Sequence, residues 1–238
     1  MTAQPTPVLL VDVDGTLIDS YPGIRESFIH GLTANGVDLP PEETIRGIPG
    51  PPMMDTLRGI GLDGELLDRV FTSYLDHQTS TGWLNATPFD GMAGLLDRWR
   101  DAGVRLSTAT SKSEVSARRV LEKFGLFGRF DVFAAAQEDG ERRSKAAVIR
   151  HALEQLGEPS ATVAEGGPTS RDHILLVGDR IHDVEGAAQF GIRTVLVDWG
   201  YGAQDEHDRA WASVPDTAAL GRLVDGWLRD PAAQGAQG

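Results

Sequence analysis

The sequence contains no cysteine. That excludes disulfides, thiolate-bound metal and a cysteine nucleophile, and it fits a reducing cytosol. Positive charge is scarce: 22 Lys and Arg stand against 35 Asp and Glu, a formal net charge of −13 over 238 residues. Affinity for nucleic acid comes mainly from neutralising phosphates with cationic side chains, so no nucleic-acid partner is expected. Long apolar runs are missing as well. The opening MTAQPTP has no basic residue, and the apolar run behind it, Val8 to Val11, stops at Asp12. Such a run is too short for export or for spanning a bilayer. The expectation is a cytoplasmic chain with no targeting segment and no membrane partner. Apolar residues still make up 40% of the sequence, enough for an ordinary packed core.

What is present has a clear period. Val8 to Val13 is a β-rich run without alternation, as a central parallel strand covered on both faces requires. The runs VRLSTA (104–109), HILLVG (173–178) and TVLV (194–197) look alike. Between them, Ala117, Val120, Leu121 and Phe124 recur at helical spacing before Gly125. Ile149, Ala152, Leu153 and Leu156 do the same before Gly157, and a last helix is predicted over 217–229. Strands alternating with helices imply a parallel α/β sheet with right-handed crossovers. Ligands on such sheets bind beyond the carboxyl ends of the strands, where Asp12, Asp14, Thr110 and Asp179 fall.

From about 20 to 88 the β-rich runs disappear and only helical spacing remains. Ile24, Phe28 and Leu32 mark one helix, Met53, Leu57 and Ile60 a short one, and Leu67, Val70, Phe71 and Tyr74 another. The stretch GIPGPP (47–52) makes a rigid turn between the first two. The predicted organisation is an α/β core over 1–19 and 89–238 with a helical insertion over 20–88, which suits either a closing lid or a fixed subdomain. The polar loop 158–172 lies outside this pattern, and the tail 231–238 is expected to be disordered.

Asp12 and Asp14 stand two residues apart on one strand end, and residues i and i+2 share a side, so a cation or a proton must separate the two carboxylates. A second apolar strand also ends in acid, in GDRIHD (178–183), which supplies Asp179 and Asp183. Four carboxylates so placed repel strongly without a counter-ion. They describe a hard-cation site with positions left for water and phosphate oxygens, as Mg²⁺ prefers. Ser111-x-x-Glu114 reads as a capping box opening a helix. Thr110, at the strand end beside that helix N-terminus, is placed to bind phosphate oxygens with its hydroxyl and neighbouring N–H groups. Only three lysines occur, Lys112, Lys123 and Lys145. Lys145 opens a helix, where a cation opposes the macrodipole, so it is expected to face a bound anion. In the insertion, Arg58 as an anion contact and Met53 as an apolar wall are candidate substrate contacts, set against the plainer reading of exposed charge and ordinary packing.

Taken in order, DVDGT (12–16), Thr110, Lys145 and GDRIHD (178–183) resemble the four motifs of the haloacid dehalogenase superfamily, in its phosphatase branch. The stretches GPPM (50–53), RSKAAVI (143–149) and WGYG (199–202) look like its phosphoglycolate phosphatase and 5′-nucleotidase-like members. The resemblance implies an α/β fold, a parallel Rossmann-like sheet core with an inserted α-helical cap domain. It implies a nucleophile in Asp12 and a general acid and base in Asp14. It further implies Mg²⁺ held by the Asp12 carboxylate, the Asp14 backbone carbonyl and Asp179 with help from Asp183, and phosphate held at Thr110, Ser111 and Lys145. The substrate would be a small phosphorylated metabolite and the protein a monomer or homodimer. A β-phosphoglucomutase-like sugar phosphomutase shares this chemistry, and a phospho-receiver signalling domain shares the clustered acids. Receivers lack D-x-D-G-T and an inserted cap. Asp14 sets the chain apart from dehalogenases, and the absence of lysine from the insertion leaves no Schiff-base residue for a phosphonatase.

Overall fold

The structure is a computed structural model that describes residues 5–49, 52–137 and 140–231. Gly50 and Pro51 of the expected rigid turn lie outside the described residues, as does the tail from residue 232. Two compact units divide the chain, Met1–Leu17 with Pro88–Gly238, and Ile18–Thr87.

The first unit opens with β1 (Val8–Val11), every residue of which is buried. The second carries β2 (Ile18–Asp19), α1 (Tyr21–Ala34), α2 (Glu42–Arg46), α3 (Met53–Gly59) and α4 (Gly64–Ser80). Then β3 (Thr87–Pro88), α5 (Met92–Asp101), β4 (Arg105–Thr108), β5 (Thr110–Ser113) and α6 (Glu114–Lys123) follow. The rest runs through β6 (Ala135–Ala136), α7 (Lys145–Leu156), β7 (Ile174–Gly178), α8 (Ile181–Ala188), β8 (Arg193–Val197), α9 (Gln204–His207), β9 (Ala212–Val214) and α10 (Thr217–Arg229).

The central sheet is parallel, in the order β4-β1-β7-β8-β9. Sheet growth reverses after β4: the chain crosses back over β1 to lay down β7, which makes the carboxyl ends of β1 and β7 the crevice where ligands bind. Register brings those ends level. Val11 lies opposite Thr108 on one side and Val177 on the other. The Asp12 N–H donates to the Val177 carbonyl at 2.9 Å, and the Ala109 N–H to the Val11 carbonyl at 2.8 Å.

Apolar residues of the strands, Val8, Leu10, Ile174 and Leu176, pack against Val148, Ile149, Ala152 and Leu153 of α7. Each of these Val, Leu and Ile side chains contributes about 1.5–3 kcal/mol when fully buried. The helical unit has a core of its own in Ile24, Phe28, Leu32, Leu57, Leu67, Val70 and Tyr74. No helix among the described residues is long and apolar enough to cross a membrane.

The structure departs from the sequence reading at several places. β1 ends at Val11 rather than Val13, because Gly15, at φ +76°, turns the chain and the Thr16 and Leu17 N–H groups fold back onto the Val13 carbonyl. Ser111 does not cap α6. After Thr108 the chain stays extended through β5, which pairs with β6, and the cap is Ser113, whose Oγ accepts from the Ser116 N–H. Thr110 therefore opens β5, three residues before the Ser113 cap, and does not end a strand beside the helix N-terminus as expected. β9 was not expected, since a three-residue edge strand with one buried residue carries no periodic signal. The loop 158–172 is tied down by Arg171, whose buried guanidinium donates to the Phe190 carbonyl at 2.8 Å, and by the Arg150–Glu165 pair.

Candidate active site

Asp12 leaves the end of β1, Asp179 the end of β7, and Asp183 the first turn of α8. One carboxylate oxygen from each lies within 4.8 Å of the others, and all three residues are buried. Asp183 Oδ2 accepts the backbone N–H groups of Asp179 and Arg180, both at 3.1 Å, so it fixes the start of α8 against the end of β7. Gly178 makes this approach possible, since a Cβ there would sit 2.3 Å from the Asp183 carboxyl carbon.

Lys145, the first residue of α7, answers these charges. Its ammonium lies 3.1 Å from Asp12 Oδ1 and 2.6 Å from Asp183 Oδ1, and donates to the Ala109 carbonyl at 2.8 Å. Gly186 on α8 leaves room for the lysine stem, because a Cβ there would come within 2.7 Å of Lys145 Cγ. Asp179 Oδ2 accepts the Tyr201 N–H at 2.8 Å. Asp179 Oδ1 is buried and has no hydrogen-bond partner among the described residues. Asp12 Oδ1 and Asp183 Oδ1 also lack a well-directed hydrogen bond, and the Lys145 contacts are close ion pairs.

The protonation pattern follows from this crowding. Burial, with the charges of Asp183 and Asp14 behind it and Lys145 opposing, pushes the Asp12 carboxyl up from 3.8 to about 6. Burial, then Asp12 and Asp183, raise Asp179 well above the ordinary carboxylate range. Burial alone would lower Lys145, but the charges of Asp12 and Asp183 outweigh it and hold the ammonium above its usual value. When all three are ionised, three buried carboxylates against one ammonium leave two negative charges uncompensated. All the ligand atoms offered are oxygens, and a divalent hard cation balances both the charge and the unpartnered oxygen.

Asp14 takes no part in that cluster. Its carboxylate is gripped by Lys112, with Nζ at 3.1 Å from Oδ1 and 3.0 Å from Oδ2. The separation of Asp14 from Asp12 was expected to need a cation or a proton; Lys112 meets the Asp14 side of that need. Thr110 Oγ1 accepts the Lys112 N–H at 3.2 Å, which leaves the hydroxyl proton free to donate. Ser111 is exposed.

The two candidates in the helical unit are placed more plainly. Arg58 pairs with Asp55 at 2.9 Å on the surface, and Met53 packs against the helical core. Sequence reasoning missed Lys112 as a partner of Asp14; the pairing of β5 is irregular between Thr110 and Ser113, so no simple alternation along that strand points to it. It also used WGYG only as a mark of kinship. That loop braces the site through the Tyr201 N–H on Asp179 and the Trp199 indole N–H, which donates to the Thr16 carbonyl at 3.3 Å.

The chain is similar to known proteins along most of its length. The profile of the haloacid dehalogenase-like hydrolase family matches residues 9–197. A Mycobacterium tuberculosis protein named Tyrosine-protein kinase PtkA is 43% identical over 212 residues, covering 89% of this chain and 69% of that one. A Pseudomonas aeruginosa 5′-nucleotidase is 31% identical over 201 residues, covering 84% of this chain and 86% of the other. The crystal structure of a predicted phosphatase from Clostridium acetobutylicum superposes with a TM-score of 0.82 at 28% identity, covering 94% of this chain and all of that one. The chain thus belongs to the haloacid dehalogenase-like hydrolase family, as an enzyme of its phosphatase type.

Proposed function

We propose that the protein is a Mg²⁺-dependent hydrolase of a small phosphomonoester that works through an aspartyl-phosphate on Asp12. The observation that carries this reading is the buried trio Asp12, Asp179 and Asp183 with its unpartnered Asp179 oxygen beside Lys145. Those three carboxylates would hold the cation, with the Asp14 backbone carbonyl as a further ligand. Once bound, Mg²⁺ lets an anionic carboxylate and an anionic phosphoryl group approach each other.

An Asp12 carboxylate oxygen bonds to phosphorus as the ester P–O bond breaks, and Asp14 gives a proton to the departing oxygen. In the second half, Asp14 takes a proton from water as the water oxygen bonds to phosphorus and the Asp12–phosphorus bond breaks. Inorganic phosphate leaves and both carboxyl groups return to their starting states. Lys145 and the Thr110 hydroxyl bind the phosphoryl oxygens and offset the charge that builds on them. Asp183, besides its place in the cation site, holds Lys145 and the start of α8. In this reading the helical unit is the cap.

The 5′-nucleotidase relative favours a nucleoside monophosphate among the substrates to be tried. Purified protein should hydrolyse 4-nitrophenyl phosphate with Mg²⁺ and lose that activity in excess chelator. A panel of nucleoside monophosphates, phosphoglycolate and sugar phosphates then ranks the leaving groups. Failure to turn over any monoester with Mg²⁺ present would sink the reading.

The 43% identical mycobacterial protein favours a second reading, transfer of the γ-phosphoryl group of a nucleoside triphosphate to a tyrosine hydroxyl with release of the diphosphate. Incubation with labelled ATP and a tyrosine-containing peptide separates the two. Label in the peptide supports the transferase; label only in inorganic phosphate supports the hydrolase.

Gly15 offers a test of how tightly the site is built. A Cβ at this position would lie 2.0 Å from Asp179 Oδ2, on backbone at φ +76°. Gly15→Ala should therefore displace Asp179 and lower kcat/KM by about 100-fold, the scale of loss that goes with a displacement of about 1 Å. An alanine variant of full activity would show that the position of Asp179 does not matter to turnover.

A further inference from the structure

We infer that Lys112 is a positioning residue for Asp14, holding the carboxylate in the orientation from which it serves the leaving oxygen. The inference rests on the proposed phosphomonoester hydrolysis and adds to it a residue that none of the four family motifs contains.

Three observations carry it. The ammonium touches both Asp14 oxygens, at 3.1 and 3.0 Å, so it fixes the rotation of the carboxylate as well as its place. The lysine side chain is 9% exposed and that of Asp14 is 23% exposed, so this is not a solvated surface pair of little worth. And Lys112 is tied to the phosphate side of the site through its own backbone, whose N–H donates to Thr110 Oγ1 at 3.2 Å. Thr110 and Lys112 lie two residues apart on β5. One strand thus presents a phosphoryl ligand and, two residues on, the clamp for the proton carrier.

The function of the clamp is geometric. A free aspartate at the mouth of the site samples several rotamers, and proton transfer needs one of them within hydrogen-bond reach of the ester oxygen. Lys112 selects that rotamer before substrate arrives; the ammonium pairs with the ionised carboxylate, so the proton that Asp14 delivers is taken up with the substrate, on an oxygen that the ammonium releases. The effect should appear wherever Asp14 is needed and nowhere else.

That condition defines the experiment. kcat/KM reports on formation of the phosphoenzyme, including loss of the leaving group, and is measured for 4-nitrophenyl phosphate, phenyl phosphate and an alkyl phosphate in wild type, Lys112→Met, Asp14→Asn and the double variant. The 4-nitrophenolate ion departs without a proton and the alkoxide does not. Lys112→Met should lower the alkyl value by about 10- to 100-fold and the 4-nitrophenyl value by less than about 3-fold, a fraction of what a whole general acid contributes. Asp14→Asn should show the same pattern at larger amplitude, and the double variant should be no slower than Asp14→Asn. Lys112→Arg, which keeps the charge, should recover part of the loss and covers the case in which the methionine variant does not fold. Equal losses on all three esters would mean that Lys112 binds the phosphoryl group or merely supports the fold, and would overturn the inference. Losses that multiply in the double variant would do the same. A wild type silent on every ester would instead count against the proposed hydrolysis itself.

Discussion

Asp12→Asn should lower turnover of a phosphomonoester by at least about 10³-fold, the scale on which loss of a nucleophile is felt, while making the metal-free protein harder to unfold above pH 6. The two effects have one origin. Asp12 is the carboxylate aimed at phosphorus, and it is also one of three acids forced together in a buried place. Its proton is held more tightly in the folded chain, at about 6 against the ordinary 3.8. Ionising such a group costs stability: the cost is absent below 3.8, grows as pH rises toward about 6, and is fully present above that. It amounts to something on the order of 2–3 kcal/mol. Asparagine copies the neutral form and removes the cost. At about 2–4 °C per kcal/mol for a chain of this size, the metal-free variant should melt several degrees higher than wild type at pH 7.5 and show little difference at pH 4. Thermal unfolding in chelator at both pH values checks this. A variant that melts lower than wild type at pH 7.5 would mean that the Lys145 pairing outweighs the crowding.

Asp179→Asn should remove the gain in stability that Mg²⁺ gives. A cation present at 100 times its dissociation constant adds about 2.7 kcal/mol, which corresponds to about 5–10 °C in Tm. The gain should be largest above pH 6, where Asp12 has lost its proton, and should shrink as acid restores it. In Asp179→Asn the cation loses a charged ligand and the unpartnered oxygen, so affinity should fall by at least about 100-fold and the rise in Tm at the same Mg²⁺ concentration should nearly vanish. Activity should fall with it and return in part at high Mg²⁺. An identical Mg²⁺-induced shift in wild type and variant would place the cation elsewhere, whatever the kinetics show.

How much of this was legible in the sequence depended on the length of the signal. β1, β4, β7, β8 and the helices α6, α7 and α10 announced themselves through β-rich runs of four to six residues or helical spacing kept over two turns or more, and the structure has them within a few residues of the predicted ends. The two-residue pairs and β9 did not, since pairing so short is decided by what lies beside it. Ser111 misled because S-x-x-E fits a capping box while the same residues also fit a strand. The partner strand β6, about 25 residues downstream, settled the matter in favour of extension. The acids could be named from the sequence because they end apolar strands. Their partners were harder to see: Lys112 reaches Asp14 from 98 residues away, and Tyr201 reaches Asp179 with a backbone N–H that any residue but proline would supply.

The most direct test of the central claim is to find the phosphoryl group on the protein. Wild type should be mixed with 4-nitrophenyl phosphate and Mg²⁺, quenched in acid within milliseconds, digested and mapped by mass. A phosphoryl adduct on the peptide that begins the chain, located at Asp12, labile at alkaline pH and missing from Asp12→Asn, is the predicted result. An active enzyme that carries its phosphoryl group on a histidine or serine, or that turns over without any adduct at Asp12, would contradict it.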